Sequence, residues 1–396
     1  MRLAVINLVP TPYREPLYNT LSRTPGLTLR VFYLQPSDSV RGWSRLTSSY
    51  DSVTLRSLSP EWLYPVPLVG GVNPGLTGRL LEFAPDCLFV HGYSYWTQMQ
   101  AMRWAIRRGV PYFLLGDSNA SKLHRRGPAA ALKATLLGHF CRRAAGALAI
   151  GSANEQFWLY YGVPPDRLYR SPLAVDNNWF ARQAATVRGQ KQLNRRRLGL
   201  PEGRLLLFVG RFAPEKNLPE LLLALDACRR NGAPPLALAL VGDGPEKPVL
   251  DRLLRRVALP GVVQFGFQNQ AELAAFYGVS DALILPSRRD AWGLVVNEAM
   301  AAGLPVLLSR SVGCLPDLLE EGANGFSFDA GKVSSIAACL GDFARLSDER
   351  LAAMGRRSAE LIRDWSLSAA LAGIHQALDS VSPRFAAPAT AAAAMS

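Results

Sequence analysis

Long apolar runs are missing from this chain. About half of its 396 residues are apolar (49%), yet no stretch approaches the ~20 residues of a membrane-crossing helix. The longest runs have the length of strands. Cysteine is sparse and scattered. Cys87, Cys141, Cys228, Cys314 and Cys339 include no C-x-x-C pair, which excludes a zinc knuckle or a disulfide framework and fits a reducing cytoplasm. The N-terminus MRLAVINLVP has one Arg and a short apolar run but no small-residue cleavage site. It therefore reads as a first strand and not as a secretory leader. No segment repeats at a short fixed period.

What is present is an alternation of short apolar runs with helical spacings. The length suggests two domains, and the apolar content suffices for two cores. In the first half, strands are expected at residues 3–9, 29–34, 87–90, 111–115, 146–151 and 168–175. Helices are expected at 15–22, from Trp96 to Arg108, at 129–143, and at 152–161 with Ser152 as N-cap. Residues 35–78 are polar and rich in Pro, Gly and Ser, with Trp43, Trp62 and Tyr64, and read as one long irregular segment of the kind that often carries function. Residues 177–201 read as a linker plus a first helix. The second half continues with strands at 204–210, 236–241, 262–265, 282–285 and 306–308. Such an alternation predicts parallel α/β sheets.

Several of these strands end in polar tips, where ligands of open α/β sheets bind. The stretch DALILPSRRDAWGLVVNEAMAAGLPVLLSR, residues 281–310, combines a buried strand, a polar turn and a helix ending at Gly303-Leu304-Pro305. Asp290 sits in the turn and Glu298 about two helical turns further on. Two acceptor-only groups flanking bare helix amides suit a ligand with several hydroxyls and a phosphate, a nucleotide sugar; a capping Asp and a solvated Glu would give the same pattern. The run GRFAPEK puts Arg211 and Lys216 on one loop before a helix, a diphosphate site in form. Gly242 and Gly244 bracket a tight turn after another strand. In the first half the loop Pro10-Thr11-Pro12-Tyr13-Arg14 has no glycine. Thr11, Tyr13 and Arg14 either contact an acceptor or form a Pro-ordered turn. Asp117 is a candidate for orienting that acceptor.

The spacing of Asp290 and Glu298, taken with GRFAPEK, resembles the D/E-x7-E and G-R-x4-K signatures of the retaining glycosyltransferases of family 4, which have the GT-B fold. The usual first carboxylate there is Glu; here it is the shorter Asp290. The resemblance implies two Rossmann-like domains facing across a cleft, an acceptor domain at 1–178 and a donor domain at 179–366. It further implies a helix at 367–381 crossing back onto the first domain; the low-complexity residues 382–396 read as a disordered tail. The donor would be a nucleoside diphosphate sugar. Glu298 would hold its ribose, and Asp290 with the amides of Ala291, Trp292, Gly293 and Leu294 its sugar and phosphate. Arg211 and Lys216 would neutralise the departing diphosphate, and Phe267 would lie near the base. His91, at the tip of its strand, would touch the transferred sugar, though most lone histidines are structural. The family transfers with retention of configuration. No D-x-D occurs in the chain, so no metal cofactor is suggested, and a front-face route fits better than a covalent intermediate.

The formal charge is +13. Residues 1–178 hold 19 Lys and Arg against 10 Asp and Glu, and the remainder 25 against 21. An excess in the first half fits an anionic acceptor or a peripheral contact at the inner face of a membrane, and equally plain solubility. The stretch around the 129–143 helix, with Lys133 to Arg143 on it, reads as a core-facing helix with a solvated basic side or as an interfacial one. The acceptor would be a glycan, a lipid-linked group or a small molecule. A sugar-nucleotide epimerase or a phosphorylase could share the fold. A nucleic-acid binder would explain the charge, but the basic residues are dispersed and no nucleic-acid motif is present.

Overall fold

A computed structural model describes residues 1–36, 49–59, 70–119 and 127–382. The chain forms two units, residues 1–173 with the segment from Leu367 onward, and residues 174–366. The first holds seven strands: β1 (Arg2–Asn7), β2 (Thr28–Tyr33), β3 (Asp51–Thr54), β4 (Cys87–His91), β5 (Tyr112–Leu115), β6 (Gly146–Ala149) and β7 (Leu168–Arg170). Their order is β3-β2-β1-β4-β5-β6-β7, and every pairing is parallel. Alternate residues of these strands feed two cores. Ala4, Ile6, Phe32, Leu88, Val90 and Leu114 lie on one face, and Leu3, Val5, Leu29, Val31, Phe89 and Phe113 on the other. That two-sided burial is why the strands read as unbroken apolar runs. Each fully buried Leu or Phe contributes on the order of 1.5–3 kcal/mol of transfer free energy.

The helix Leu367–Val381 closes one of these cores. Ala370, Ile374, Ala377 and Leu378 pack among Leu3, Val5, Leu17 and Phe89. Ser171 Oγ donates to the Ala370 carbonyl at 3.0 Å. At Gly373 a Cβ would lie 1.8 Å from the Arg170 carbonyl oxygen, so only glycine lets the helix approach so closely.

The second unit holds β8 (Arg204–Val209), β9 (Leu236–Val241), β10 (Val262–Phe265), β11 (Ala282–Leu285), β12 (Val306–Ser309) and β13 (Gly325–Phe328), in the order β10-β9-β8-β11-β12-β13. All pairings are again parallel. In each sheet the strand order reverses beside the first strand, between β1 and β4 and between β8 and β11. A crevice opens at the carboxyl ends of such a pair.

Three local expectations differ from the structure. The irregular segment expected at 35–78 contains β3, an edge strand whose sequence DSVT is largely exposed and shows no apolar run. It also contains the start of the helix Leu76–Phe83. Trp43, Trp62 and Tyr64 lie outside the described residues, as does the tail from residue 383. The helix Ser152–Tyr160 is capped by Gly151 without a side-chain bond, so Ser152 is its first residue and not its N-cap. Residues 177–201, expected as a linker plus a first helix, hold two helices, Asn177–Arg188 and Lys191–Arg197.

The second of those helices is anchored by charge. Arg195 is buried and donates to the Val279 carbonyl at 2.9 Å and to Asp281 Oδ2 at 2.8 Å. Asp281 also accepts from Lys191 Nζ at 2.5 Å and from the Leu205 amide at 2.7 Å. Burial pushes the Asp281 carboxyl up, but the Lys191 ammonium and these hydrogen bonds outweigh it and hold the group below its ordinary value.

Candidate active site

In the second unit, three loops leave adjacent strand ends. The loop after β8 and the loop after β9 interlock. The Phe212 amide donates to the Asp243 carbonyl at 2.8 Å, and the Glu246 amide to the Phe212 carbonyl at 2.9 Å. A Cβ at Gly242 would stand 2.0 Å from the Gly210 carbonyl oxygen, and one at Gly244 2.4 Å from that of Phe212. The close approach these glycines permit is therefore that of one loop to the other.

The loop after β11 is tied to the loop after β8. Arg288 Nε donates to Asn217 Oδ1 at 2.6 Å, and the Arg288 amide to the Glu215 carbonyl at 2.8 Å. Asn217 adopts a left-handed conformation, φ 60°, as it turns the loop into the helix Leu218–Arg230. This registration brings Lys216 Nζ to 2.5 Å from Asp290 Oδ2, both side chains mostly buried. Arg211, on the same loop as Lys216, is exposed. The backbone of 290–292 is held from the far side, since Gly313 and Cys314 donate to the carbonyls of Asp290 and Trp292 at 3.1 and 3.0 Å. Trp292 is buried and bonds Asn297 through its indole N–H at 2.9 Å.

The helix Leu294–Ala301 then begins at Gly293, whose φ of 92° sharpens the turn, and no side chain caps it. The Val296 amide donates to the Gly293 carbonyl at 2.8 Å, and the partial positive charge of the helix start favours an anion there. Four residues into the helix, Glu298 is partly buried, and its Oε2 accepts from the Tyr277 hydroxyl at 2.6 Å. Burial pushes its carboxyl up to about 7, and the Tyr277 bond acts in the opposite sense. Tyr277 is itself fully buried, its hydroxyl held well above its ordinary range by burial first and then by the Glu298 charge. Phe267, past the end of β10, is 58% exposed and offers a bare ring.

In the first unit, the tips of β1 and β4 bring two candidates into contact. Arg14 donates to His91 Nε2 at 3.0 Å. Because a guanidinium has no acceptor, the His91 proton sits on Nδ1. Burial, and then the Arg14 charge, push the His91 ring down to about 3, so it is neutral at every physiological pH. Gln98 fixes the strand end by donating to the His91 carbonyl at 2.6 Å. Thr11 is buried and its carbonyl accepts from the Arg14 amide at 3.0 Å. Tyr13 is half-buried, and Asp117, at the tip of β5, is exposed and not gathered with them.

The basic helix Pro128–Cys141 departs from expectation near its start. Leu132, in its second turn, is 56% exposed. Lys133, expected on its solvated face, turns inward. Its Nζ lies 5.1, 5.4 and 5.3 Å from the ring centroids of Tyr93, Phe157 and Tyr161, and 3.3 Å from the Tyr93 hydroxyl. That hydroxyl meets Ser118 Oγ at 2.8 Å. Ring faces hold a cation without neutralising it. Lys133 thus joins the strand-end group, which sequence spacing could not show; the clue was the aromatic run Phe157-Trp158…Tyr161. Among the described residues no group of three or more His, Cys, Asp or Glu is placed to hold a metal ion.

Two parallel-sheet Rossmann-like units joined by a helix returning to the first define the GT-B fold. Solved structures match it over nearly the whole chain. One is Anabaena Alr3699/HepE in complex with UDP, at a TM-score of 0.71 and 16% identity, covering 96% of this chain and 100% of that one. Another is sucrose-phosphate synthase from Thermosynechococcus elongatus, at 0.72 and 17%, covering 96% and 99%. Residues 190–360 match the model of the family described as glycosyl transferases group 1. Curated relatives include a D-inositol 3-phosphate glycosyltransferase of Thermomonospora curvata, 34% identical over 218 residues, which are 51% of this chain and 49% of that protein. Sulfoquinovosyl transferase SQD2 of Arabidopsis thaliana is 37% identical over 156 residues, 39% of this chain and 29% of that protein. The chain spans about half the length, or less, of these curated relatives.

Proposed function

We propose that this protein transfers a sugar from a nucleoside diphosphate sugar to an acceptor hydroxyl, with retention of anomeric configuration. The observation that carries the reading is the geometry after β11. Lys216 and Asp290 meet beside an uncapped helix N-terminus, and Glu298 is presented by Tyr277 one turn further on. In this reading the ionised Glu298 accepts from the ribose hydroxyls, and Phe267 lies beside the base. Donor binding draws Lys216 from Asp290 to the diphosphate, freeing the carboxylate for the hydroxyls of the transferred sugar. The amides of Ala291 to Leu294 and the Arg211 guanidinium meet the phosphates. As the glycosidic bond breaks, negative charge grows on the leaving oxygen, where fixed cations and amides stabilise it without reorganising. That oxygen is then basic enough to take the acceptor's proton on the face it has just left. His91, neutral and with its proton on Nδ1, serves as a hydrogen-bond donor to the sugar and not as an acid. Two side-chain cations do the work on the diphosphate here, and no metal cofactor is invoked.

The names of the relatives support a nucleotide-sugar donor and leave several acceptors open, a glycan, a lipid-linked group or a small molecule. Acceptor contacts are assigned to the first unit, with Thr11, Tyr13, Arg14 and Asp117 as candidates. The five buried thiols fit a cytoplasmic protein. Exposed Leu132, Arg142 and Arg143 on or next to one helix favour peripheral contact with the inner face of a membrane, which flotation with anionic vesicles at low and high salt checks. No helix among the described residues is long and apolar enough to cross one.

The test is a thermal-shift screen of nucleotide sugars, followed by NMR of the product's anomeric centre. A true donor at a hundred times its dissociation constant adds roughly 2.7 kcal/mol of apparent stability. Stabilisation by no nucleotide sugar, or a product of inverted configuration, refutes the reading.

A further inference from the structure

We propose that Arg14, with Thr11 beside it, is a binding site in the first unit for an anionic group, a phosphate or a carboxylate, carried by the acceptor. The acceptor role rests on the function proposed above; the anion site does not. Arg14 is only 8% exposed. Of the five N–H donors of its guanidinium, the structure uses one, toward the neutral His91 ring at 3.0 Å. No carboxylate among the described residues pairs with it. Its sequence neighbour Glu15 is turned into a different network, in which Oε1 accepts from the Tyr50 hydroxyl at 2.6 Å and that hydroxyl meets Tyr33 Oη at 2.6 Å. Asp117, the acidic residue at the tip of β5, is exposed and makes no bond to Arg14.

A guanidinium cannot shed its proton to relieve burial. A buried charge without a counter-charge is among the costliest features a fold can keep, so a partner from outside the chain is implied. An independent observation points the same way. Thr11 Oγ1 is buried and has no hydrogen-bond partner, in the turn whose carbonyl already accepts from the Arg14 amide. Unused donors of both residues therefore sit at the carboxyl end of β1, next to its neighbour β4. The loop that carries them contains no glycine to offer bare backbone amides, and a side-chain cation takes that place. His91 holds the guanidinium in position, which also makes its ring a reporter of the site.

The experiment uses the full chain labelled with 15N-histidine, which gives signals from four residues; His91 is assigned by its loss in H91Q. Inorganic phosphate, glucose 6-phosphate and glucose are titrated in turn. Saturable movement of the His91 Nε2 signal by both phosphates, and not by glucose, is the expected result. Arg14→Lys weakens it about tenfold, because a point charge replaces a planar fork, and Arg14→Met abolishes it. The response persists in Lys216→Ala, where the donor side is disabled. An unmoved His91 signal in the unmutated protein overturns the proposal whether or not the variants fold. A response to UDP alone, lost in Lys216→Ala, assigns the anion to the donor and overturns it too. Failure of every nucleotide sugar to bind would instead sink the proposed function while leaving the His91 response to phosphate in place.

Discussion

Tyr277→Phe removes one hydroxyl from a position far from any reacting atom, and its effect depends on pH in a way that can be worked out beforehand. The hydroxyl donates to Glu298 Oε2 at 2.6 Å, inside a site where burial has already pushed the carboxyl up to about 7. A hydrogen bond to a charged group contributes about 1.5–3 kcal/mol. Its loss falls on the ionised form, and at 1.36 kcal/mol per unit this raises the carboxyl by roughly one to two further units. Tyr277 is the one titratable group whose charge or bond perturbs Glu298, so no second group blurs the profile. If the ribose is held by the carboxylate, the unmutated protein is about half competent at pH 7. The variant is then roughly one-tenth to one-hundredth competent, and donor affinity at pH 7 falls about fivefold to fiftyfold while recovering near pH 9 to 10. Calorimetric titration of the donor nucleotide from pH 6 to 10 measures this. An equal loss at every pH would mean that Tyr277 merely fills space.

The same group yields a stability measurement with the opposite sense. Because the folded carboxyl lies above its ordinary value of 4.5, folding favours the protonated form. Stability is full below the unfolded value and is lost as pH rises through about 7. Glu298→Gln removes the ionisation, so its melting temperature should match the unmutated protein's at pH 4.5 and exceed it at pH 8, while donor binding drops. A variant less stable than the parent at pH 8 refutes the assignment of burial as the cause.

Lys216→Ala should reduce turnover at least about a hundredfold, the usual effect of removing one preorganised electrostatic donor, and chelator treatment should leave the unmutated activity intact; activity abolished by EDTA and restored by manganese, with the variant near normal, would place the charge on a metal instead. His91→Ala should lower turnover far more than affinity for the free nucleoside diphosphate if, as proposed, the neutral ring donates to the sugar; equal losses by kinetics and calorimetry would make it structural. Arg195→Ala leaves Asp281 with one cation fewer in a mostly buried site, and should cost about 3–5 kcal/mol in urea unfolding; a loss below about 1 kcal/mol would show that the anchor is solvated.

The strands were legible because both faces of each sheet are covered. Ile6 and Val5 point to opposite cores, so most positions of the inner strands are apolar and the run stands out against its loops. β3 was invisible for the converse reason, since an exposed edge places no such demand on DSVT. In the site, the sequence identified groups but not their partners. Lys216 and Asp290 are 74 residues apart, Arg14 and His91 77, and Tyr277 and Glu298 21. No local period relates such positions. The first two pairs meet because β8 lies beside β11 and β1 beside β4, the two places where the strand order reverses, and the third because the helices Gln270–Val279 and Leu294–Ala301 precede and follow β11. A reading of spacing alone assigns each cation directly to a ligand. The fold shows instead that Lys216 is already paired with the Asp290 carboxylate, whereas Arg14 is left with a neutral ring. On the proposed function, donor binding would have to break the first pairing. The second cation is held in place by the His91 ring with no carboxylate beside it among the described residues, and if the proposed acceptor role holds, it is there that a charged substrate would be distinguished from a neutral one.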